Sequence, residues 1–162
     1  MVTVFPIAAW VLAIVATLIQ LARGPRGLRI GLQALMTWVF VFPLGLLSLW
    51  AFMGHVFFAQ QAAASIGWAP SPFQFEVGLA NLGMGVGGLL AAVFRRNLGF
   101  AAATAVMAAC FLGGAGVGHI IQISETGNMA TGNAGPILYT DFLTPAVLLA
   151  IIALLRLLPG RA

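Results

Sequence analysis

The sequence predicts an all-α membrane protein, a bundle of five transmembrane helices, and three observations lead to this fold class. First, 62% of the 162 residues are hydrophobic and only 6% are charged, whereas a soluble domain carries charge on about a quarter of its residues. Second, apolar runs recur at the length of roughly 20 residues that a helix needs to cross a hydrocarbon core. Third, the charged residues separate by sign in a way that five spans explain and that four or six spans do not.

Five apolar segments are long enough to cross a membrane. They are residues 4–21, 30–58, 72–94, 98–123 and 137–158. Backbone polar groups in lipid must be satisfied within their own segment, so runs of this length are predicted to be helices. Pro43 lies inside the second span and Pro145 inside the fifth. Each proline removes a helical hydrogen bond, so both spans are expected to be kinked.

The start of the third span carries a capping signature. Ser71 precedes Pro72, and Gln74 follows three residues after the serine. This order predicts a capping box in which Ser71 is the N-cap, Pro72 occupies the first helical position and Gln74 bonds back to the serine. The preceding segment, residues 59–71, is predicted to be a short connection between the second and third spans.

The charged residues predict the orientation of the bundle. All seven basic residues are arginines, and five spans place all of them on one side: Arg23, Arg26, Arg29, Arg95, Arg96, Arg156 and Arg161. Glu76, Glu125 and Asp141 fall on the other side. The positive-inside rule makes the arginine side cytoplasmic, with the N-terminus outside and the C-terminus inside a bacterial inner (plasma) membrane. The basic pI therefore indicates orientation, and the chain offers no basic patch that would bind nucleic acid.

Small residues are concentrated in the third and fourth spans. Gly83 and Gly87 are four residues apart in the third span, and Gly114 and Gly118 are four apart in the fourth. Small residues at this spacing let two helices approach closely in lipid, so the third and fourth spans are predicted to pack tightly on each other. A second hypothesis is that some of these glycines line a groove for a flat cofactor or a lipid tail.

The longest polar connection, residues 124–140, contains two Thr-Gly-Asn triplets, at residues 126–128 and 131–133. Glycine and asparagine both tolerate positive φ, which predicts two turns. A sharper hypothesis is a re-entrant cap over the outer end of the bundle, with side-chain amides facing a ligand.

Four ionisable residues from four different spans are predicted to lie at a similar depth. At about 1.5 Å per residue from the cytoplasmic anchors, Glu76 lies roughly 28 Å, His55 roughly 39 Å, His119 roughly 33 Å and Asp141 roughly 22 Å away. All four are thus expected at or just inside the outer interface. Ionisable residues inside a membrane are costly, so they are the first candidates for a functional site.

Two amides extend this candidate site. Gln122 lies three residues after His119 and shares its helix face, and Asn81 lies deeper in the third span among small and apolar residues. The predicted ligand-binding residues are therefore His119, Glu76, Gln122 and Asn81. Each ionisable residue also has a structural interpretation. For example, Glu76 would favour the positive end of a helix dipole, and Asp141 would cap a fifth helix that started late.

Three kinds of chemistry fit these residues. His55, His119, Glu76 and Asp141 form a two-histidine, two-carboxylate set that suits a transition metal such as Zn, Fe or Mn, although no local ligand motif supports it. His55 and His119 are also the only axial pair available to a haem. Without any cofactor, Glu76, His119 and Asp141 would form a network that specifies helix packing, or that binds a small polar solute or a quinone head group.

Two stretches resemble a known family. The run PFQFEVGLANLGMG at residues 72–85 and the run GGAGVGHIIQ at residues 113–122 resemble a family of small bacterial integral membrane proteins of unknown function. The overall hydropathy is similar to that of the DoxX-like membrane proteins, which are linked to redox complexes. The resemblance implies a helical bundle. It singles out Glu76, Asn81 and His119 as the positions that match the shared pattern.

The sequence leaves three functional hypotheses open and indicates no particular reaction. The leading one is an inner-membrane protein with a polar ligand or metal site that opens to the outer face. The second is a structural or accessory subunit of a larger redox or photosynthetic membrane complex, which would pair the chain with the bilayer and with other membrane subunits. The third is a small-solute transporter, which at this size would act as a homo-oligomer; the sequence shows neither an inverted repeat nor a midplane charge pair to support it.

Overall fold

The computed structural model describes residues 3–159, and its helices confirm the predicted all-α, multi-pass membrane fold. Five helices are long and apolar enough to cross a membrane, and a short sixth lies between the second and third of them. In chain order they are α1 (Val4–Arg23), α2 (Leu28–Phe57), α3 (Ala59–Ile66), α4 (Phe73–Val93), α5 (Leu98–Thr126) and α6 (Pro136–Leu157). The largest difference from the predicted ends is in α5, which continues to Thr126 where the sequence predicted an end at residue 123.

The five long helices alternate in direction, so the bundle has two unlike ends. The arginine end contains the two tight links 24–27 and 94–97, together with the end of α6. The loop end contains α3, the link 67–72 and the connection 127–135. Six of the seven arginines belong to the arginine end, and Arg161 lies outside the described residues. Which end faces the cytoplasm stays a prediction of the positive-inside rule.

Pro43 distorts α2, as the sequence predicted. The segment Phe40–Leu46 around it is a π-helical turn within an otherwise α-helical span. Proline has no N–H to donate and its ring crowds the preceding turn, and a local π-bulge is a common way for a helix to absorb such a defect. Pro145 lies inside α6, which continues past it to Leu157.

The connection predicted between the second and third spans is largely the helix α3. It contains three successive alanines, which are the strongest helix formers. It ends at Gly67, whose φ of 79° is left-handed and whose N–H bonds back to the last turn. Sequence inspection missed α3 because eight residues give too few turns for a periodic pattern to appear.

The predicted capping box at the start of α4 is wrong. The helix begins at Phe73. The hydroxyl oxygen of Ser71 only accepts a long 3.3 Å hydrogen bond from the Phe73 N–H. Gln74 is buried and turns towards α3. With its amide nitrogen facing the Ala59 carbonyl, it donates there at 2.7 Å and accepts from the Ala63 N–H at 3.3 Å. A tertiary partner therefore takes the side chain that the local motif assigned to the cap.

The predicted tight packing of the third span on the fourth is also wrong, because α4 makes its closest approaches to α2. A Cβ added at Gly88 would lie 3.0 Å from the Phe40 carbonyl oxygen and 3.1 Å from the Gly45 nitrogen, both backbone atoms of α2. A Cβ at Gly85 would meet Leu49 of α2 at 2.7 Å, whereas a Cβ at Gly83 would meet nothing within 4 Å. The packing face therefore follows Gly85 and Gly88, and the four-residue spacing from Gly83 does not mark it.

The interior of the bundle divides into an apolar half and a polar half. The apolar core lies towards the arginine end, where residues 36–44 of α2, 84–92 of α4, 101–108 of α5 and 148–155 of α6 meet. Most buried polar side chains of the same helices lie beyond it, towards the loop end: Ser48, Gln74, Asn81, His119, Thr140, Asp141 and Thr144. Thr104 of α5 lies within the apolar half, where its hydroxyl donates to the Phe100 carbonyl at 3.0 Å. Lipid removes most of the hydrophobic drive for helices to associate. The buried polar groups at the loop end are therefore the candidate location of a functional site.

Arg29 joins two helices at the arginine end. Its Nη1 donates to the carbonyl oxygens of Leu155 at 3.0 Å and Leu158 at 3.1 Å, which have no helical donor at the end of α6. We expect Arg29→Ala to lower the free energy of unfolding by about 1–2 kcal/mol, as for a charged donor to partly buried carbonyls. Equilibrium unfolding in mixed detergent micelles measures the change. The control Arg26→Ala, at an exposed position, should have no measurable effect, and equal losses in both variants would contradict this role.

Candidate functional site

His119 is the centre of the polar half, and its ring is held in one tautomer. Its Nδ1 lies 2.7 Å from Oδ1 of Asn133. The Asn133 amide nitrogen donates to the carbonyl oxygens of Asn128 at 2.8 Å and of His119 at 3.4 Å, which fixes which end of the amide is oxygen. An amide oxygen only accepts, so the proton of the imidazole is on Nδ1. The second ring nitrogen, Nε2, is then free to face another group.

The connection 127–135 covers His119 from the loop end. Asn133 is fully buried, with 0% of its surface exposed. Asn128 donates to the Ile66 carbonyl at 2.9 Å, and the Gly132 N–H donates to the Ser65 carbonyl at 2.9 Å, so both bonds fasten this connection to α3. The connection closes the end of the bundle, as the sharper hypothesis expected. The Asn128 and Asn133 amides bond to protein groups.

The first Thr-Gly-Asn triplet, residues 126–128, forms a turn at the end of α5, as the sequence predicted. Gly127 has a φ of 67° and ends α5 in the left-handed conformation that favours glycine. Trp68, in the link after α3, lies nearly parallel to the His119 ring with the two ring centroids 6.0 Å apart. Asn133 and Trp68 together hold the imidazole on two sides.

Asp141 faces the free nitrogen of His119. Its Oδ2 lies 3.7 Å from Nε2, which is too long for a hydrogen bond. Only 4% of Asp141 is exposed. It is not the N-cap of the last span, because α6 begins five residues earlier at Pro136. Among the described residues, no group donates a hydrogen bond to its carboxylate.

A small cavity of about 30 Å³, with both polar and apolar walls, lies beside Asp141. Oxygen-bearing side chains from three helices line it: Ser48 of α2, Asn81 of α4, and Thr140, Asp141 and Thr144 of α6. Its apolar wall includes Pro43, at the π-helical turn. The volume is about the share of one water molecule in the liquid, so the cavity has room for one small polar species.

The structure gathers only part of the predicted site. His119 and Asp141 come together, and Asn81 shares the cavity with Asp141. Glu76 is exposed on the first turn of α4. His55 is half-buried, and its Nδ1 is buried without a hydrogen-bond partner among the described residues. Gln122 is half-buried one turn beyond His119.

The four-residue metal set of the sequence analysis is therefore not assembled as predicted. Within residues 3–159, no three His, Cys, Asp or Glu side chains come close enough to hold one metal ion. The reason is the side of the helix on which each residue lies. Asn81 of α4 and His119 of α5 are buried inside the bundle, whereas Glu76 lies on the exposed side of α4. Counting residues along a helix predicts how deep a side chain lies in the membrane, but it does not predict which side of the helix faces the site.

Sequence reasoning missed three contributors to the site. Asn133 belongs to the second Thr-Gly-Asn triplet, and the triplet was the only signal that pointed to it. Trp68 follows the end of α3, and a tryptophan at a helix end gives no hint of a ring partner. Ser48 lies in an apolar run of α2, seven residues before His55, where one small hydroxyl carries no pattern at all.

Comparison with known proteins gives a family and no activity. A family described as "Family of unknown function (DUF6790)" matches residues 3–161. No curated protein and no solved structure matches the chain.

Proposed function

The chain belongs to the DUF6790 family, and from its buried polar pair we propose that this multi-pass membrane protein binds a small polar ligand at the loop end of its bundle. The ligand occupies the cavity beside Asp141, and His119 forms the other side of the site. Under the positive-inside rule the loop end faces outwards, so the ligand reaches the site from the outer face.

The unpartnered carboxylate of Asp141 carries this proposal. An acidic group inside a membrane span is costly, and such groups ordinarily pair with a cation or with hydrogen-bond donors. Asp141 is buried, its nearest basic group is 3.7 Å away, and no described residue donates to it. A ligand that donates a hydrogen bond or carries positive charge would give the Asp141 carboxylate the partner that no described residue provides.

His119 supports the same conclusion by the way it is held. Asn133 fixes the ring through Nδ1, and Trp68 lies against its face. Any buried imidazole needs a partner for one of its nitrogens, and here that bond leaves Nε2 facing Asp141 without a hydrogen bond. Holding the proton on Nδ1 presents Nε2 to the region around Asp141, and this is how proteins commonly orient a histidine that must contact a ligand or metal.

A ligand-dependent thermal shift tests the proposal. The purified chain in detergent is melted with two sets of probes that are small enough for the cavity: Na⁺ and K⁺; and Zn²⁺, Fe²⁺ and Mn²⁺. We expect at least one probe to raise the Tm of the natural chain and of the control Glu76→Gln, whose side chain is exposed. The same probe should act on Asp141→Asn only at concentrations at least about tenfold higher, because the charge that favours it is gone.

Two results would oppose the proposal. If no probe changes the Tm of the natural chain, the cavity has no ligand of these classes. If a probe stabilises Asp141→Asn as well as the natural chain, its site lies elsewhere. A response to Zn²⁺, Fe²⁺ or Mn²⁺ that depends on His119 and Asp141 would support the metal version of the site, with these two residues as its protein ligands.

A second candidate function, a subunit of a larger membrane complex, is supported by an uncovered glycine face on α5. Added Cβ atoms at Gly113, Gly114 and Gly118 would each meet no atom within 4 Å. Gly114 and Gly118 are four residues apart, a spacing at which another transmembrane helix packs closely. Purification from native membranes in mild detergent tests this role. Co-purifying membrane subunits that are lost in Gly114→Leu would support it, and a chain that always migrates alone would oppose it.

A further inference from the structure

We propose that the ligand of the cavity beside Asp141 is a single monovalent cation, bound by the oxygen atoms around this carboxylate. This inference rests on the proposed binding site and names its ligand class. It depends on three features of the cavity: the atoms that line it, the backbone beside it and its charge.

The polar side chains that line the cavity offer oxygen. Asn81 donates its amide nitrogen to the Val77 carbonyl at 2.9 Å, so the amide oxygen is the end left for a ligand. The Thr140 hydroxyl donates its proton to the Ile137 carbonyl at 3.0 Å, so it offers only lone pairs to the cavity. Ser48, Thr144 and the Asp141 carboxylate complete the set. Oxygen ligands of this kind suit hard cations, whereas Zn²⁺ and other transition metals favour nitrogen and sulfur.

A proline interrupts the backbone next to Asp141. Pro145 has no N–H, so the carbonyl of Asp141, four residues earlier, loses its donor in the α-helical ladder. Carbonyls freed from interrupted helices are backbone ligands of cations in membrane proteins. Asp141 therefore has a free backbone carbonyl as well as its carboxylate.

Charge selects the ion. A cavity of about 30 Å³ has room for one water-sized species, a size that both Na⁺ and K⁺ meet. One carboxylate balances one positive charge, whereas a divalent ion would leave a net charge beside a buried side chain. Repulsion between neighbouring positive charges further requires that His119 be neutral, in its Nδ1-protonated form, while the cation is bound.

Equilibrium binding of radioactive sodium to the purified full-length chain, in a choline chloride background, tests the inference. We expect saturable binding of one ion per chain to the natural protein and to Glu125→Gln, a control at an exposed acid in the last turn of α5. Asp141→Asn should weaken binding by about a hundredfold, and Ser48→Ala by about tenfold for the loss of one ligand oxygen. Unlabelled Na⁺ and K⁺ should both compete for the site, and Mg²⁺ and Ca²⁺ should not.

Several outcomes would overturn the inference. Displacement of the bound sodium by Mg²⁺ or Ca²⁺ contradicts the charge argument, and undiminished binding in both Asp141→Asn and Ser48→Ala places the ion elsewhere. Ser48→Ala, which alters one hydroxyl, keeps the test decisive if Asp141→Asn fails to fold. A folded natural chain that binds no sodium, but whose Tm shift with Zn²⁺ requires Asp141, contradicts the monovalent cation while leaving the proposed binding site in place. A chain that responds to none of these probes contradicts the proposed function as well.

Discussion

Asn133→Ala should lower the free energy of unfolding by about 2 kcal/mol, because it leaves two groups without their partners at about 1 kcal/mol or more each. Those groups are the Nδ1–H of His119 and the carbonyl oxygen of Asn128. Asn133 is fully buried, so water cannot replace the lost bonds without opening the connection. Equilibrium unfolding in mixed detergent micelles, followed by circular dichroism, measures this loss.

Asn133→Asp separates the two functions of this side chain. A carboxylate still accepts from the His119 Nδ1–H but cannot donate to the Asn128 carbonyl, so it should also destabilise the protein. Unlike alanine, aspartate should keep the imidazole proton on Nδ1, which nitrogen NMR of the histidine ring detects. A stability of Asn133→Ala within about 0.5 kcal/mol of the natural chain, the range of ordinary surface substitutions, would mean that the connection 127–135 does not hold the site closed.

Gly88→Ala should destabilise the bundle by about 2–3 kcal/mol, the range for overpacking a tight interface. The new methyl group would lie 3.0 Å from the Phe40 carbonyl oxygen and 3.1 Å from the Gly45 nitrogen. Both are backbone atoms of α2, so no side chain can turn aside, and α2 and α4 must move apart. This movement would also shift Ser48 and Asn81, which face each other across the cavity a few residues away.

Gly83→Ala is the matched control, five residues earlier in the same helix. Its added Cβ meets nothing within 4 Å, and alanine is favoured over glycine in a helix by up to about 1 kcal/mol. We therefore expect Gly83→Ala to be neutral or stabilising and Gly88→Ala to be clearly destabilising in the same unfolding assay. Equal effects at the two positions would contradict the close approach of α2 and α4.

Among the site residues, the sequence could identify the costly groups but not their partners. His119 and Asp141 stand out in any membrane span because ionisable residues are rare there. Glu76 stands out for the same reason, yet it lies on an exposed turn of α4. Counting residues gives depth along a helix, whereas the side of the helix that faces the site depends on how all the helices rotate and pack. Asn133 is the clearest omission, because its role depends on a ring that lies in another helix.

The same limit explains the two incorrect predictions about packing. The capping box failed because Gln74 found acceptor and donor groups in α3, a helix too short to be recognised. The glycine prediction failed because four-residue spacing is common in a span rich in glycine, and only the neighbouring backbone selects which glycines form the contact.

The sequence by itself determined the membrane-spanning class of the protein, its five long helices and the presence of ionisable residues within them. These follow from composition and from the requirement that backbone groups in lipid be satisfied within one segment, which acts on each helix separately. Only the tertiary structure decided that α4 packs on α2, that the connection 127–135 closes over His119, and that Asp141 faces both this histidine and an oxygen-lined cavity. Those contacts join residues far apart in the chain. They depend on rotation and close fit between helices, which no local pattern in the sequence records.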